Sequence, residues 1–187
     1  LGSIGDIGCF SCYPTKNLGA IGDAGLVTTN NLDLAEKIRM IREYGWQNRT
    51  SIIPGRNSRL DELQAAILRI KLKHLDSDNQ KRRDKAKFYY ENLSSLPLLL
   101  PNISSNVEPV FHLFVIQVET QMELIKYLKK KDIMAGVHYP LPVHLHPAYK
   151  GRVVHSKDMS VTESIVNKII SLPIYPELSN SDSKLIV

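Results

Sequence analysis

The sequence predicts an α/β fold, because short runs of β-forming residues alternate with stretches of helical periodicity. Strands are predicted at residues 7–13 and 26–29, with a tight loop at residues 19–25 between them. A helix is predicted over residues 33–44, where apolar side chains recur at helical spacing. A composition of 43% hydrophobic and 23% charged residues is that of a globular protein with its own core.

The same alternation continues to the end of the chain. A long helix is predicted after a cap at Ser58, with Asp61 and Glu62 in its first turn. Its apolar stripe consists of Leu60, Leu63, Ile67 and Ile70. The remaining predicted elements are a helical pattern at 82–93, a strand at 111–118, a helix at 122–130, a strand at 135–139, a helix at 162–170 and the start of another helix at 181–187.

The formal net charge of +5 raises the question of a nucleic-acid partner. The basic runs at residues 81–83 and 126–131 lie in helical stretches and carry no interleaved aromatics, so a solvated helix face explains them. We therefore expect no nucleic acid, and an anionic small-molecule substrate would suit the same charge. No apolar run approaches the roughly 20 residues of a membrane span, and we expect a cytoplasmic protein.

Two groups of residues raise the question of a metal or redox site. Cys9 and Cys12 have the spacing of a redox pair or half a zinc site, but no second pair of cysteines completes it, and we expect two buried small residues. His138, His144 and His146 could be metal ligands, yet no carboxylate stands at a ligand-like spacing. We expect no metal.

The strongest chemical signal is the segment of residues 10–19, which places Lys16 directly after a predicted strand. Lysine forms Schiff bases with aldehydes, and it changes its protonation readily when partly buried. Ser11 and the backbone N–H groups of the glycine-containing loop would suit a phosphate. On the residues alone, a surface lysine in a turn remains the alternative.

This segment resembles the cofactor-lysine segment of the DegT/StrS-type nucleotide-sugar aminotransferases. These enzymes depend on pyridoxal 5'-phosphate and have the type I aminotransferase fold. Three later stretches match the family in the same order, so the resemblance covers essentially the whole chain: residues 54–66, 138–144 and 171–174.

The resemblance implies that residues 1–75 are the C-terminal part of the large cofactor-binding domain and that residues 76–187 are a small C-terminal α/β domain. It implies that Lys16 binds pyridoxal phosphate covalently and later moves a proton between two carbons. Ser11 would hydrogen-bond the cofactor phosphate. Asn57 would reach across a homodimer to the phosphate held by the other subunit.

The resemblance also implies a substrate. An amino group would move from glutamate, leaving 2-oxoglutarate, to a nucleotide-linked keto-deoxysugar for cell-surface polysaccharide such as the O-antigen of lipopolysaccharide. Arg59 would meet an anionic group of the substrate, or pair with Asp61 or Glu62. His138 and Tyr139 would approach the sugar.

The segment around Trp46 narrows the substrate further. With Tyr44, Gly45 and Arg49 it resembles the branch of the family that aminates carbon 3 of dTDP-3-keto-6-deoxyhexoses. The alternative is that Trp46 fills a dimer contact.

Two other functions stay open: a DNA-binding regulator, and a non-catalytic dimerisation module of the same fold. The family places a glycine-rich phosphate loop and an acidic residue for the pyridine nitrogen further upstream of the lysine, and no segment of the 15 residues before Lys16 matches either motif. We therefore expect little or no activity from the isolated chain, whereas the complete protein is expected to be an enzyme.

Overall fold

The computed structural model of the chain describes residues 2–154 and 158–187, which form two compact units. The first unit is Leu1–Ser77 and the second is Asp78–Val187. Both combine helices with short antiparallel strand pairs, so the fold is α/β, as the sequence predicts. Across the described residues, no helix has the length and apolar character that a membrane span requires.

The first unit contains two antiparallel strand pairs and two helices. The first pair is in the register that places Cys9 opposite Val27. The side chain of Asn31 caps the first helix by accepting a hydrogen bond from the Leu34 N–H at 3.1 Å. The elements are, in order, β1 (Gly8–Ser11), β2 (Gly25–Thr28), α1 (Leu32–Ile41), β3 (Trp46–Gln47), β4 (Thr50–Ser51) and α2 (Glu62–Leu72).

Helix α1 ends three residues earlier than predicted. Tyr44 and Gly45 adopt the left-handed backbone conformation, with φ of 60° and 72°, and this ends the helix. The Gly45 N–H turns back to the carbonyl oxygen of Met40 at 2.8 Å. A Cβ atom at position 45 would overlap the carbonyl oxygen of Ile53, so this position requires glycine on two grounds.

Helix α2 begins later than predicted, and Ser58 does not cap it. The Ser58 N–H instead donates to the carbonyl oxygen of Arg42 at 2.8 Å, which holds Ser58 outside the helix. Asp61 occupies the N-cap position in an extended conformation, and its side chain makes no capping hydrogen bond. Of the predicted apolar stripe, Leu63 is 67% exposed, whereas the buried residue of α2 is Leu68.

The second unit is built on one antiparallel strand pair, β5 with β6, in which Phe114 lies opposite Leu172. Single bridges extend this pair on both sides, at Leu99 with Gln117 and at Gly136 with Ser171. Helix α3 begins at the end of the first unit and continues into the second. The elements are α3 (Leu75–Leu93), β5 (Phe114–Gln117), α4 (Gln121–Lys130), a 3-10 helix (Val143–Leu145), α5 (Ser160–Ile165), β6 (Ile169–Leu172) and α6 (Asn180–Ile186).

Two predicted elements near the end of the chain are wrong. The predicted strand at 135–139 is reduced to the bridge at Gly136. The predicted helix at 162–170 stops at Ile165, and Ile170 belongs to strand β6 instead. Ile170 is fully buried against the core, and that burial outweighs the helical spacing of the segment. The predicted helix at 181–187 corresponds to α6.

The core of the second unit is aromatic at its centre. Tyr89 and Phe114 are both fully buried, and their ring centroids lie 5.0 Å apart. Tyr90 meets Phe114 edge-on at 5.3 Å. Such tilted and edge-on pairs stabilise a core beyond the area that they bury. The Tyr89 hydroxyl donates to the carbonyl oxygen of Pro173 at 2.6 Å, and burial raises the pKa of this hydroxyl.

Arg82 is a buried cation in the same unit, only 6% exposed. One of its nitrogens, Nη1, lies 3.1 Å from the carbonyl oxygen of Phe111, 3.4 Å from that of His112 and 2.9 Å from that of Ile174. Burial lowers the pKa of the guanidinium. Arg82 thus joins α3 to two separate segments of its unit.

Candidate active site

Lys16 lies in a loop that the backbone closes on both sides. The Cys12 N–H donates to the carbonyl oxygen of Ala24, and the Ala20 N–H donates to that of Cys12, both at 2.9 Å. Inside this loop a tight turn places the Lys16 N–H 2.9 Å from the carbonyl oxygen of Tyr13. Cys12, Ala20 and Leu68 of α2 form the small buried cluster beneath the loop. The lysine therefore has a fixed backbone position.

Helix α2 holds the second half of this loop through two long polar side chains. The Gln64 side-chain oxygen accepts from the N–H groups of Ile21 and Gly22 at 3.0 and 3.2 Å. Lys71 Nζ donates to the carbonyl oxygen of Gly19 at 2.7 Å. Sequence reasoning assigned no role to Gln64 or Lys71. Their i, i+7 spacing, which places both on one face of α2, was the available signal.

The Lys16 side chain is half-buried, and its amine forms no hydrogen bond or ion pair within the described part of the chain. An amine without a carboxylate partner can attack an aldehyde, provided that it loses its proton. The position and the chemistry of Lys16 therefore fit a cofactor that carries an aldehyde.

Ser11, at the end of β1, is exposed. Its oxygen accepts from the Tyr13 N–H at a long 3.4 Å, which leaves the hydroxyl hydrogen available to an anion. This suits a phosphate. Among the described residues, no hydrogen bond joins Lys16 to Ser11 or to Asn57.

Asn57, Arg59 and Trp46 lie in one cluster around Tyr44. Arg59 Nε donates to the Asn57 side-chain oxygen at 3.2 Å, and the guanidinium carbon lies 5.5 Å from the centre of the Tyr44 ring. The Tyr44 and Trp46 rings are 4.9 Å apart. Among the described residues, Arg59 forms no ion pair with Asp61 or Glu62, which was the alternative role for its side chain. The cluster places a cation over the Tyr44 ring, with the Trp46 ring on Tyr44, an arrangement that can receive an anionic or planar group.

His138 and Tyr139 lie in the second unit, and both are exposed. Their rings meet edge-on at 5.4 Å. His144 is engaged elsewhere: its Nε2 lies 2.9 Å from a carboxylate oxygen of Glu163 in α5. Within residues 2–154 and 158–187, no group of three or more histidine, cysteine or carboxylate side chains is arranged to hold a metal ion.

The prediction of two buried cysteines is wrong for Cys9. Cys12 is 1% exposed and reaches the cluster under the Lys16 loop, whereas Cys9 is exposed. The two cysteines are three positions apart along an extended segment, so their side chains leave opposite faces. Burial raises the pKa of the Cys12 thiol, which makes that thiol less reactive.

The comparisons with known proteins agree with one another. The pattern of the DegT/DnrJ/EryC1/StrS aminotransferase family matches residues 1–187. The dTDP-3-amino-3,4,6-trideoxy-alpha-D-glucose transaminase of Streptomyces venezuelae is 42% identical over 189 residues, covering 100% of this chain and 50% of that protein.

Solved structures show the same likeness. DesV from S. venezuelae in complex with a ketimine intermediate superposes with a TM-score of 0.92 at 43% identity, covering 98% of this chain and 50% of that one. NtdA from Bacillus subtilis with bound cofactor PMP superposes with a TM-score of 0.84 at 29% identity, covering 100% and 45%. The chain thus spans about half the length of the relatives that it matches. It belongs to the DegT/DnrJ/EryC1/StrS aminotransferase family.

Proposed function

We propose that the complete protein transfers an amino group from glutamate to a nucleotide-linked keto-deoxysugar, using pyridoxal 5'-phosphate bound at Lys16. The observation that carries this proposal is the Lys16 amine, which is half-buried in a closed loop and has no carboxylate partner in the described chain. Membership of the aminotransferase family supports a Schiff base with pyridoxal phosphate as the role of that amine.

Each site residue has a proposed role that follows from its chemistry. Lys16 binds the aldehyde carbon of the cofactor and, once released, its amine moves a proton. The Ser11 hydroxyl and the Asn57 amide donate hydrogen bonds to phosphate oxygens. When bound, the cofactor supplies an electron sink for the carbon that loses its proton. The hydrogen bonds from Ile21 and Gly22 to Gln64 attach the second half of the Lys16 loop to helix α2.

The substrate side is proposed from the aromatic and cationic cluster. Arg59 carries a permanent positive charge, which suits the diphosphate or the carboxylate of a substrate. Trp46 and Tyr44 offer flat faces for a base or a sugar ring. His138 and Tyr139 are proposed to contact the sugar. The S. venezuelae relative is named for a dTDP-linked 3-amino sugar, and this supports a dTDP-3-keto-6-deoxyhexose as the substrate class.

We further propose a homodimer with shared active sites, in which Asn57 serves the cofactor of the partner subunit. Asn57 is exposed and already oriented by Arg59, so its amide nitrogen is available for such a contact. In this proposal, residues 1–75 complete the large domain and residues 76–187 form the small one. A C2 dimer with mutual donation of Asn57 would explain an amide at this exposed loop.

The proposal is tested by trapping the cofactor. The complete protein is reduced with borohydride in the presence of pyridoxal phosphate, digested, and searched for a pyridoxyl adduct by mass spectrometry. We expect the adduct on Lys16 and its loss in Lys16→Ala. Lys37→Ala is the control, because Lys37 is an exposed lysine of α1 in the same unit. An adduct on a different lysine, or none at all, would refute the assignment.

The amino acceptor is tested separately. Glutamate should convert the yellow protein to the colourless amine form, and a dTDP-linked 3-keto-6-deoxyhexose should restore the colour. If glutamate converts the protein to the amine form but no nucleotide sugar restores the yellow colour, the protein is an aminotransferase with a different amino acceptor.

A further inference from the structure

The ring of His138 is held by a buried serine. His138 Nδ1 lies 2.9 Å from Ser171 Oγ. Ser171 belongs to β6 and is only 5% exposed, whereas His138 is exposed. The bridge between Gly136 and Ser171, with N–H to O distances of 3.0 and 2.8 Å, fixes the two segments beside each other. The contact therefore joins an exposed ring to the core of the second unit.

Two further contacts limit how the His138 ring can turn. A Cβ atom at Gly136 would lie 2.9 Å from Cε1 of the ring, so the imidazole lies directly against a glycine. On another side, the ring meets Tyr139 edge-on at 5.4 Å with an interplanar angle of 79°. An exposed histidine normally samples several rotamers, but this one is restrained on three sides.

The same serine also determines which ring nitrogen carries the hydrogen. A buried hydroxyl needs an acceptor for its hydrogen. Within the described residues, the Ser171 hydroxyl meets only Nδ1 of His138, and that nitrogen can accept the O–H only in the tautomer that carries its hydrogen on Nε2. In the other neutral tautomer both Nδ1 and the Ser171 hydroxyl carry a hydrogen, and the buried hydroxyl hydrogen would have no acceptor among the described residues. The tautomer that satisfies the serine thus leaves His138 with an N–H donor at Nε2.

We propose that Ser171 is a positioning residue that sets His138 as an Nε2–H donor toward an oxygen atom of the nucleotide-linked sugar. The proposal rests on the proposed function for the identity of the ligand, but the tautomer does not depend on it. Ser171 acts through His138 and has no contact with the substrate in this scheme. Gly136 has the complementary role of leaving room for the ring.

The tautomer is read directly by NMR of the complete protein with ¹⁵N-labelled histidine. We expect His138 to show the Nε2–H pattern in the unmodified protein and in Ser171→Thr, and a mixture of tautomers in Ser171→Ala. Ser183→Ala is the control, because Ser183 is also buried, at 2% exposed. Its hydroxyl donates to the carbonyl oxygen of Ser179, the N-cap residue of its own helix α6, at 2.8 Å. An Nδ1–H pattern in the unmodified protein, or an unchanged pattern in Ser171→Ala, would overturn the proposal.

Kinetics supply the second measurement. Ser171→Ala should raise KM for the sugar nucleotide about 3- to 10-fold, the range expected when one hydrogen bond is misaligned, with the glutamate half-reaction unchanged. Ser171→Thr should restore KM. An equal effect on both half-reactions would indicate a general structural role and refute the positioning role. If the protein has no aminotransferase activity, the proposed function fails, while the NMR result still decides the tautomer.

Discussion

Replacing Arg82 by methionine removes the buried cation from the second unit while keeping most of its apolar length. The bond to the Ile174 carbonyl at 2.9 Å is buried, and the bond to Phe111 at 3.1 Å is partly buried. Each carbonyl left without a partner costs about 1–3 kcal/mol. Relief of the guanidinium desolvation, which lowers its pKa, offsets part of that cost. We expect a net loss of about 3 kcal/mol in the free energy of unfolding.

The assay is urea unfolding of the complete protein followed by near-UV circular dichroism of the tyrosines. With a slope of about 1–3 kcal/mol per molar urea, the midpoint should fall by roughly 1–3 M. Arg83→Met is the control, because Arg83 pairs with Glu108 at 3.2 Å and that glutamate is 74% exposed. Such pairs contribute about 0–1 kcal/mol. Equal midpoints for Arg82→Met and Arg83→Met would refute the reasoning.

Three further predictions concern other parts of the chain. Burial raises the pKa of the Tyr89 hydroxyl, so the stability that the protonated hydroxyl contributes is complete below the ordinary tyrosine pKa near 10 and is lost as pH rises through the folded-state pKa. In Tyr89→Phe, the thermal midpoint should therefore fall less steeply above about pH 10 than in the unmodified protein. Gly45→Ala should lower the free energy of unfolding by more than about 1 kcal/mol, whereas Gly5→Ala, where a Cβ atom meets nothing within 4 Å, should leave the urea midpoint unchanged. Gln64→Ala should weaken cofactor retention roughly tenfold in an absorbance titration, because two N–H groups of the Lys16 loop lose their acceptor, and the exposed Gln80→Ala should have no effect.

The Lys16 loop was predictable because its signals are local. A strand, a lysine and closely spaced glycines follow one another, and the family motif spans the same residues. The closure of the loop by Cys12 and its attachment to Gln64 were not predictable, because they join residues up to 43 positions apart. No periodicity or spacing rule identifies the partner of a side chain at that separation.

The hairpin β3–β4 shows a different limit. Its turn uses Asn48 and Arg49, both in the left-handed conformation with φ of 51° and 62°. Such a turn needs positive φ at both central residues, and the sequence pair that usually marks it is Asn-Gly or Asp-Gly. Asn48-Arg49 lacks the glycine, so the sequence indicates this hairpin only weakly. The turn forms because the surrounding loop is held elsewhere, for example by Ser51 Oγ on the carbonyl oxygen of Tyr44 at 3.0 Å.

Where the periodicity of apolar residues predicts the wrong element or the wrong buried face, burial in the folded chain explains the difference. Ile170 fits a helical pattern with its predecessors, yet it lies in a strand because Phe114 and its neighbours offer it a fully buried position. Leu63 fits an apolar stripe, yet it is exposed on α2. The sequence pattern indicates that a side chain is apolar, but it does not show which surface will cover it.

Gln64 and Lys71 are attached to the same side of one helix, about 10 Å apart along its axis. Because they hold the glycine-containing segment at two separated points, that segment cannot tilt relative to α2 without breaking one of them. A small rotation of α2 would therefore move the glycine-containing part of the Lys16 loop with it. Under the proposed function, substitutions on the far side of that helix would then alter the reaction rate without changing any residue of the proposed site.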